Sequence, residues 1–173
     1  MNSDYIHIYN TLIKLTTNKN LYVGYVKKDT FNDRLTFFLL HFAFFLKAFK
    51  KNENSKTLQE IYDYNFRQLE LSIREIGYGD QSINKKMKDY INLFHSMVSE
   101  IHFWDKISKT EKLKIISLFL SNFQSNLVIK THYLNLKHSF LKYQFFHYQI
   151  NHPRNEFYQL CCEIDSNNPS FFY

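Results

Sequence analysis

Apolar side chains recur at steps of three and four through most of the chain, and the clearest run lies near its middle. Leu58, Ile61, Tyr62, Asn65, Phe66, Leu69, Ile73 and Ile76 line one face of a helix. The rhythm stops at I-G-Y-G-D and resumes at Ile83, Met87, Tyr90, Ile91, Phe94, Val98 and Ile101. Gly77 can take the left-handed conformation that closes a helix, and Asp80 can accept amide hydrogen bonds at the start of the next. The pattern predicts a sharply cornered helix pair, with Arg74, Glu75, Asp80, Lys85, Lys86 and Lys88 gathered around the corner.

The flanking segments follow the same period. Tyr5, Ile8, Tyr9, Leu12, Ile13 and Leu15 predict a first helix over 4–14. Residues 21–31 are expected to form a packed loop, because their valines and tyrosines have no second strand to pair with. Asn32 or Asp33 is expected to cap a long helix from Arg34 to about Lys50. Leu35, Phe37, Phe38, Leu39, Leu40, Phe42, Ala43, Phe44, Phe45 and Leu46 cover nearly every face of that helix. Such a helix is central in a core, membrane-bound or part of an interface. The core reading is preferred, with His41 as a hydrogen-bonded core histidine. Ser55 is the expected cap of the next helix, and Thr110 that of a helix through about Asn126, with Leu113, Ile116, Leu120, Phe123 and Leu127 inward. A further helical stretch runs through 128–150, and Pro153 opens a short last helix over 155–163. The expectation is an all-α fold, one compact domain over 1–173 with six or seven helices.

Composition agrees with this fold. Three glycines and two prolines in 173 residues leave too few turns for a many-stranded barrel or sandwich. Phe (18) and Tyr (13) supply much of the core volume. The net charge of +6 can favour an anionic membrane face or RNA, although a solvated lysine-rich surface explains it more simply. The first residues lack the pattern of a signal peptide or presequence, and the apolar run over 37–49 is short of the roughly 20 residues that span a bilayer. Cys161 and Cys162 are adjacent, which argues against a disulfide framework and for a reducing compartment. A cytoplasmic setting is the expected location.

Catalytic chemistry finds little support. His95 and His102 share a face seven residues apart, but neither they nor His132, His138 and His147 have Cys or acidic partners at metal-binding spacing. Glu70 and Arg74 read as an i,i+4 ion pair, as do Lys85 and Asp89, and Asp80 reads as a cap. G-Y-G-D lacks the spacing and the lysine of a phosphate-binding loop. Tyrosines interleaved with lysines over 133–148 are the best RNA-binding candidate, yet they fall at core spacing. The residues thus point to a binding protein without cofactor or metal.

Two motifs carry a resemblance. S-I-R-E-I-G-Y-G-D-Q-S-I-N-K-K-M-K-D-Y (72–90) resembles the signature of the ubiquinol–cytochrome c chaperone family, matching at Arg74, Glu75, Gly77, Gly79, Asp80, Lys85, Met87 and Lys88. K-D-T-F-N-D-R-L-T-F-F-L-L-H resembles a second family pattern at Asp29, Thr30, Arg34, Leu40 and His41. Leu35, Arg67, Gln68 and the stretch 94–97 depart from the family pattern, which bears on the partner surface more than on the fold. The resemblance implies a non-enzymatic, all-helical assembly factor of the cytochrome bc1 complex. It would bind newly made cytochrome b or a partner assembly component and touch the ribosome or an anionic membrane, working in a bacterial cytoplasm and peripherally at the inner membrane. The implied surface comprises Asp29, Arg34, His41, Arg74, Glu75, Gly77, Gly79, Asp80, Lys85, Lys86 and Lys88. The client would lie in an apolar groove edged by the helix over 33–50 and the corner at Gly77. An RNA- or ribosome-binding adaptor and a structural homo-oligomer are the alternatives; the oligomeric state is open.

Overall fold

Thr30 sets the start of the central helix. In the computed structural model, which describes residues 3–17, 30–50, 54–120 and 133–134, its hydroxyl accepts the amide of Asp33 at 3.2 Å. The Asp33 carboxylate returns to the Thr30 amide at 3.2 Å. This capping box satisfies amides that the helix itself cannot. The cap is therefore Thr30 rather than Asn32 or Asp33, and Asp33 is its reciprocal partner one turn in. The helix, α2, runs Phe31–Phe49.

Four other helices complete the described residues: α1 Ser3–Thr16, α3 Ser55–Glu75, α4 Asp80–Glu100 and α5 Lys109–Phe119. Among these residues the chain is all-helical, with five helices; the rest of the six or seven expected fall on residues not described. Apart from the helical residues 133–134, the predicted helix over 128–150 lies outside the described residues, as do the predicted helix over 155–163, residues 21–29 of the expected loop, Phe123, Leu127 and the two cysteines. Two further starts differ from expectation. Ser55 is the first residue of α3, and Asn54 before it donates instead to the Phe49 carbonyl that ends α2, at 2.6 Å. For α5 the cap is Ser108, which forms a capping box with Glu111, so Thr110 already lies inside the helix. That helix ends at Phe119, short of Asn126.

α2 is surrounded. Phe37, Phe38, Leu39, Leu40, His41, Phe42, Ala43, Phe44 and Phe45 form an unbroken buried run, with α1 and α4 packed against the helix. Each buried Phe or Leu contributes about 1.5–3 kcal/mol relative to exposure, which explains why a helix apolar on every side becomes the axis of the core. The contacts are mainly aromatic. Phe42 stacks on Phe94 of α4 at 5.2 Å, Phe94 meets Phe66 of α3 edge-on at 5.3 Å, and Phe44 meets Trp104 edge-on at 4.8 Å. Such pairs add about 0.5–1.5 kcal/mol beyond burial. Among the described residues the apolar side chains of α2 from Phe37 to Phe45 face the interior and not solvent.

Lys47 fastens the far end of this layer. Its ammonium donates to the His102 carbonyl at 2.6 Å and lies 3.6 Å from Asp105, placing a cation at the C-terminus of α4 where the helix dipole favours it. α1 braces α3: Tyr5 bonds to Glu60, and both Tyr5 and Tyr9 pack against Tyr64. No described helix is long and apolar enough to cross a membrane.

Candidate functional site

The link between α3 and α4 is four residues long and is shaped by one of its two glycines. Gly77 stands at φ +94°, and its amide bonds to the Arg74 carbonyl at 2.9 Å while that of Ile76 bonds to Ser72 at 3.2 Å. An L side chain resists this left-handed conformation, so Gly77 closes α3 as expected. Gly79 is extended, at φ −71° and ψ 156°, and holds the cap position of α4 without any side-chain cap bond. Its carbonyl receives the Ile83 amide at 3.0 Å.

Asp80 is accordingly the first residue of α4 and not its cap. Its carboxylate turns back across the corner to Arg74, with Nη1 and Oδ1 2.6 Å apart. The same guanidinium donates to Glu70 from Nη2 at 2.8 Å and from Nε at 3.2 Å. Hydrogen bonds donated to Glu70 first and to Asp80 second raise the Arg74 pKa. All three side chains are well exposed, so water and salt screen the attraction and the trio fixes geometry more than it adds stability.

Around this ionic bridge the surface is partly apolar. Leu71, Ile76 and Tyr78 are 45%, 51% and 40% exposed. Ile76 was expected inward on the α3 stripe, but α3 ends one residue earlier and the chain turns it out. A similar exchange occurs on α4, where Met97 is buried and Val98 exposed. The Lys86 ammonium lies 4.6 Å from the centre of the Tyr78 ring, a cation–π contact. Lys85, Lys88 and Glu75 are exposed and Lys86 is half-buried. Among the described residues Lys85 and Asp89 do not form the ion pair their spacing suggests.

The corner therefore brings together Arg74, Glu75, Gly77, Gly79, Asp80, Lys85, Lys86 and Lys88. Asp29 lies outside the described residues, and Arg34 is exposed on the first turn of α2. His41 is fully buried and so belongs to the core rather than to a surface. Its Nδ1–H donates to the Phe37 carbonyl at 2.8 Å, and the Tyr133 hydroxyl lies 3.1 Å from the same nitrogen. Tyr133 is itself fully buried against Phe37 and Phe44, which removes it from any base-stacking surface. Sequence reasoning paired Glu70 with Arg74, as found, but did not place Ile76 and Tyr78 on the corner surface. Among the described residues no group of three His, Cys, Asp or Glu side chains is placed to hold a metal.

Residues 27–102 of the chain match the model of a family described as Ubiquinol-cytochrome C chaperone. The matched stretch takes in the capping box at Thr30, the whole of α2, α3 and α4, and the corner. No curated protein and no solved structure matches the chain.

Proposed function

We propose that this chain, whose residues 27–102 belong to the ubiquinol–cytochrome c chaperone family, is a non-enzymatic chaperone in assembly of the cytochrome bc1 complex. In this reading it binds newly made cytochrome b or a partner assembly component through the corner between α3 and α4. The observation that carries the reading is the surface at that corner: exposed Ile76 and Tyr78 beside an Arg74–Glu70–Asp80 ion bridge, within the matched stretch. Apolar area supplies affinity and the charged rim limits the choice of partner. Glu70 and Asp80 are exposed and both engaged with Arg74, an arrangement suited to positioning and poorly suited to acid–base chemistry.

In this reading the client is held at the corner surface, because the apolar side chains of α2 from Phe37 to Phe45 are already buried. Peripheral contact with a membrane or a ribosome remains compatible with the exposed lysines of α4. The RNA-adaptor reading loses one of its named residues through the burial of Tyr133. Deletion of the gene in a bc1-containing host is expected to lower assembled complex, with cytochrome b co-isolating with the tagged chain. Unchanged complex levels together with no cytochrome b in the isolate would overturn the assignment.

A further inference from the structure

The helices α1 to α4 close a ring in an order that the chain does not follow. α2 packs against α1 and α4, and α3 packs against the same two helices. α2 and α3 thus face each other across the ring and meet in its middle, where Phe42 stacks on Tyr62 at 6.5 Å. On one side α4 fills the space between them with Phe94, against Phe42 and Phe66. On the other side, among the described residues, α1 fills it. Tyr9 meets Phe38 of α2 edge-on at 5.7 Å and Tyr64 of α3 edge-on at 6.2 Å, so α1 lies in a groove walled by α2 and α3. The family match begins at residue 27; α2, α3 and α4 fall within it, and α1 does not.

The two sides are held differently. α4 buries Ile83, Tyr90, Phe94 and Met97 and is tied to α3 by the short corner. α1 buries Ile8 and Leu12, 4% and 2% exposed and one turn apart, and its other described apolar side chains are half-buried or exposed. Thr16 is also buried, but its hydroxyl bonds within its own helix, to the Ile13 carbonyl. The edge toward α3 is polar: Tyr5 bonds to Glu60 and Tyr9 to Ser72. Water replaces such hydroxyl bonds at little cost, and a segment with few buried apolar contacts opens more readily than the body it lies on. If α1 lifts, the aromatic core of Phe42, Phe66 and Phe94 stays together, while Phe38 and Tyr64 come into solvent as the walls of a helix-wide apolar groove.

We propose that α1 is an autoinhibitory strap over a helix-binding groove between α2 and α3, and that an amphipathic helix of a partner protein takes its place there. α1 is the template for that helix: two aliphatic residues four apart for the floor, and hydrogen-bond donors on the flank that faces Glu60 and Ser72. The groove is distinct from the corner, so the inference holds whether or not the corner docks a client. The test uses the full chain, with a fluorescein-labelled peptide of residues 3–17 as the probe. Ile8→Ala combined with Leu12→Ala loosens the strap without altering the groove walls. It should tighten peptide binding about tenfold or more, because apparent affinity follows the fraction of chains whose groove is open. Tyr5→Phe combined with Tyr9→Phe keeps the rings and removes the polar ties to α3, and should shift binding the same way by a smaller factor. A peptide carrying Leu12→Asp should not bind. In hydrogen exchange of the unsubstituted chain, α1 amides should exchange about tenfold or more faster than those in the middle of α2 and α4. Affinity unchanged by both double variants, equal binding of the Leu12→Asp peptide, or equal protection of α1 and α2 would overturn the proposal. So would lost protection of α2 and α4 in the Ile8→Ala, Leu12→Ala chain, since α1 would then be part of the core. A dimer of the unsubstituted chain that the peptide dissociates would put the α1 of a second copy in the groove and overturn the partner.

Discussion

Two glycines in one short link do different work, and substitution separates them. Gly77→Ala forces a Cβ into the left-handed region and is expected to cost about 1–2 kcal/mol, read as a lower urea midpoint with unchanged slope. A midpoint equal to that of the unsubstituted chain would mean that the bend does not depend on glycine. Asn65 poses the opposite problem. Its Nδ2 donates to the Ile61 carbonyl at 2.7 Å, but its buried Oδ1 has no partner among the described residues. Asn65→Leu removes that unsatisfied oxygen at similar volume, and stability is expected to rise by about 1 kcal/mol. A fall in the urea midpoint would point instead to a buried water on Oδ1. The sequence placed Asn65 correctly on the inner stripe of α3, since periodicity reports direction. It could not report the missing partner, which depends on what the neighbouring helices present.

At the scale of helices, periodicity was legible and the ends were not. The cornered pair was readable because its apolar positions repeat over five turns on each side of a glycine link. The caps were harder, because 29–33 and 108–110 each offer several capable residues, and backbone geometry chooses among them. Thr30 was chosen where Asn32 and Asp33 were expected, and Ser108 where Thr110 was. Asp80 was misread for a related reason: an acid beside a helix start can cap it or reach outward, and Arg74 decided the matter from the preceding helix. Thr30→Ala removes one half of the α2 capping box and is expected to cost about 1–2 kcal/mol, seen in chemical denaturation. Thr30→Ser should recover most of the loss. If Thr30→Ala matched the unsubstituted chain, the helix start would be held by packing of Leu35 and Phe37 alone.

At the scale of the molecule, the aromatic residues that fill the core also set its response to alkali. Tyr9 lies on the seam between α1 and α3, while Tyr62 and Tyr90 lie on α3 and α4. Burial is the largest cause raising the pKa of each. For Tyr9 the charges of Tyr64 and Glu75 add to the rise, against a hydrogen bond with Ser72 that lowers it. A phenol whose pKa is higher folded than unfolded binds its proton more tightly in the native state. Its contribution to stability is complete below the unfolded value of about 10 and is lost as pH rises through the folded value. The unfolding midpoint is therefore expected to fall above about pH 10, with phenolate absorbance showing Tyr9, Tyr62 and Tyr90 ionising above the usual phenol range. Tyr9→Phe keeps the ring that packs on Phe38 and deletes the titrating hydroxyl, so its midpoint should fall less steeply over the same range. Equal slopes for the two proteins would show that the α1–α3 seam opens before Tyr9 ionises, and α1 would then be a removable brace on the corner rather than part of its frame.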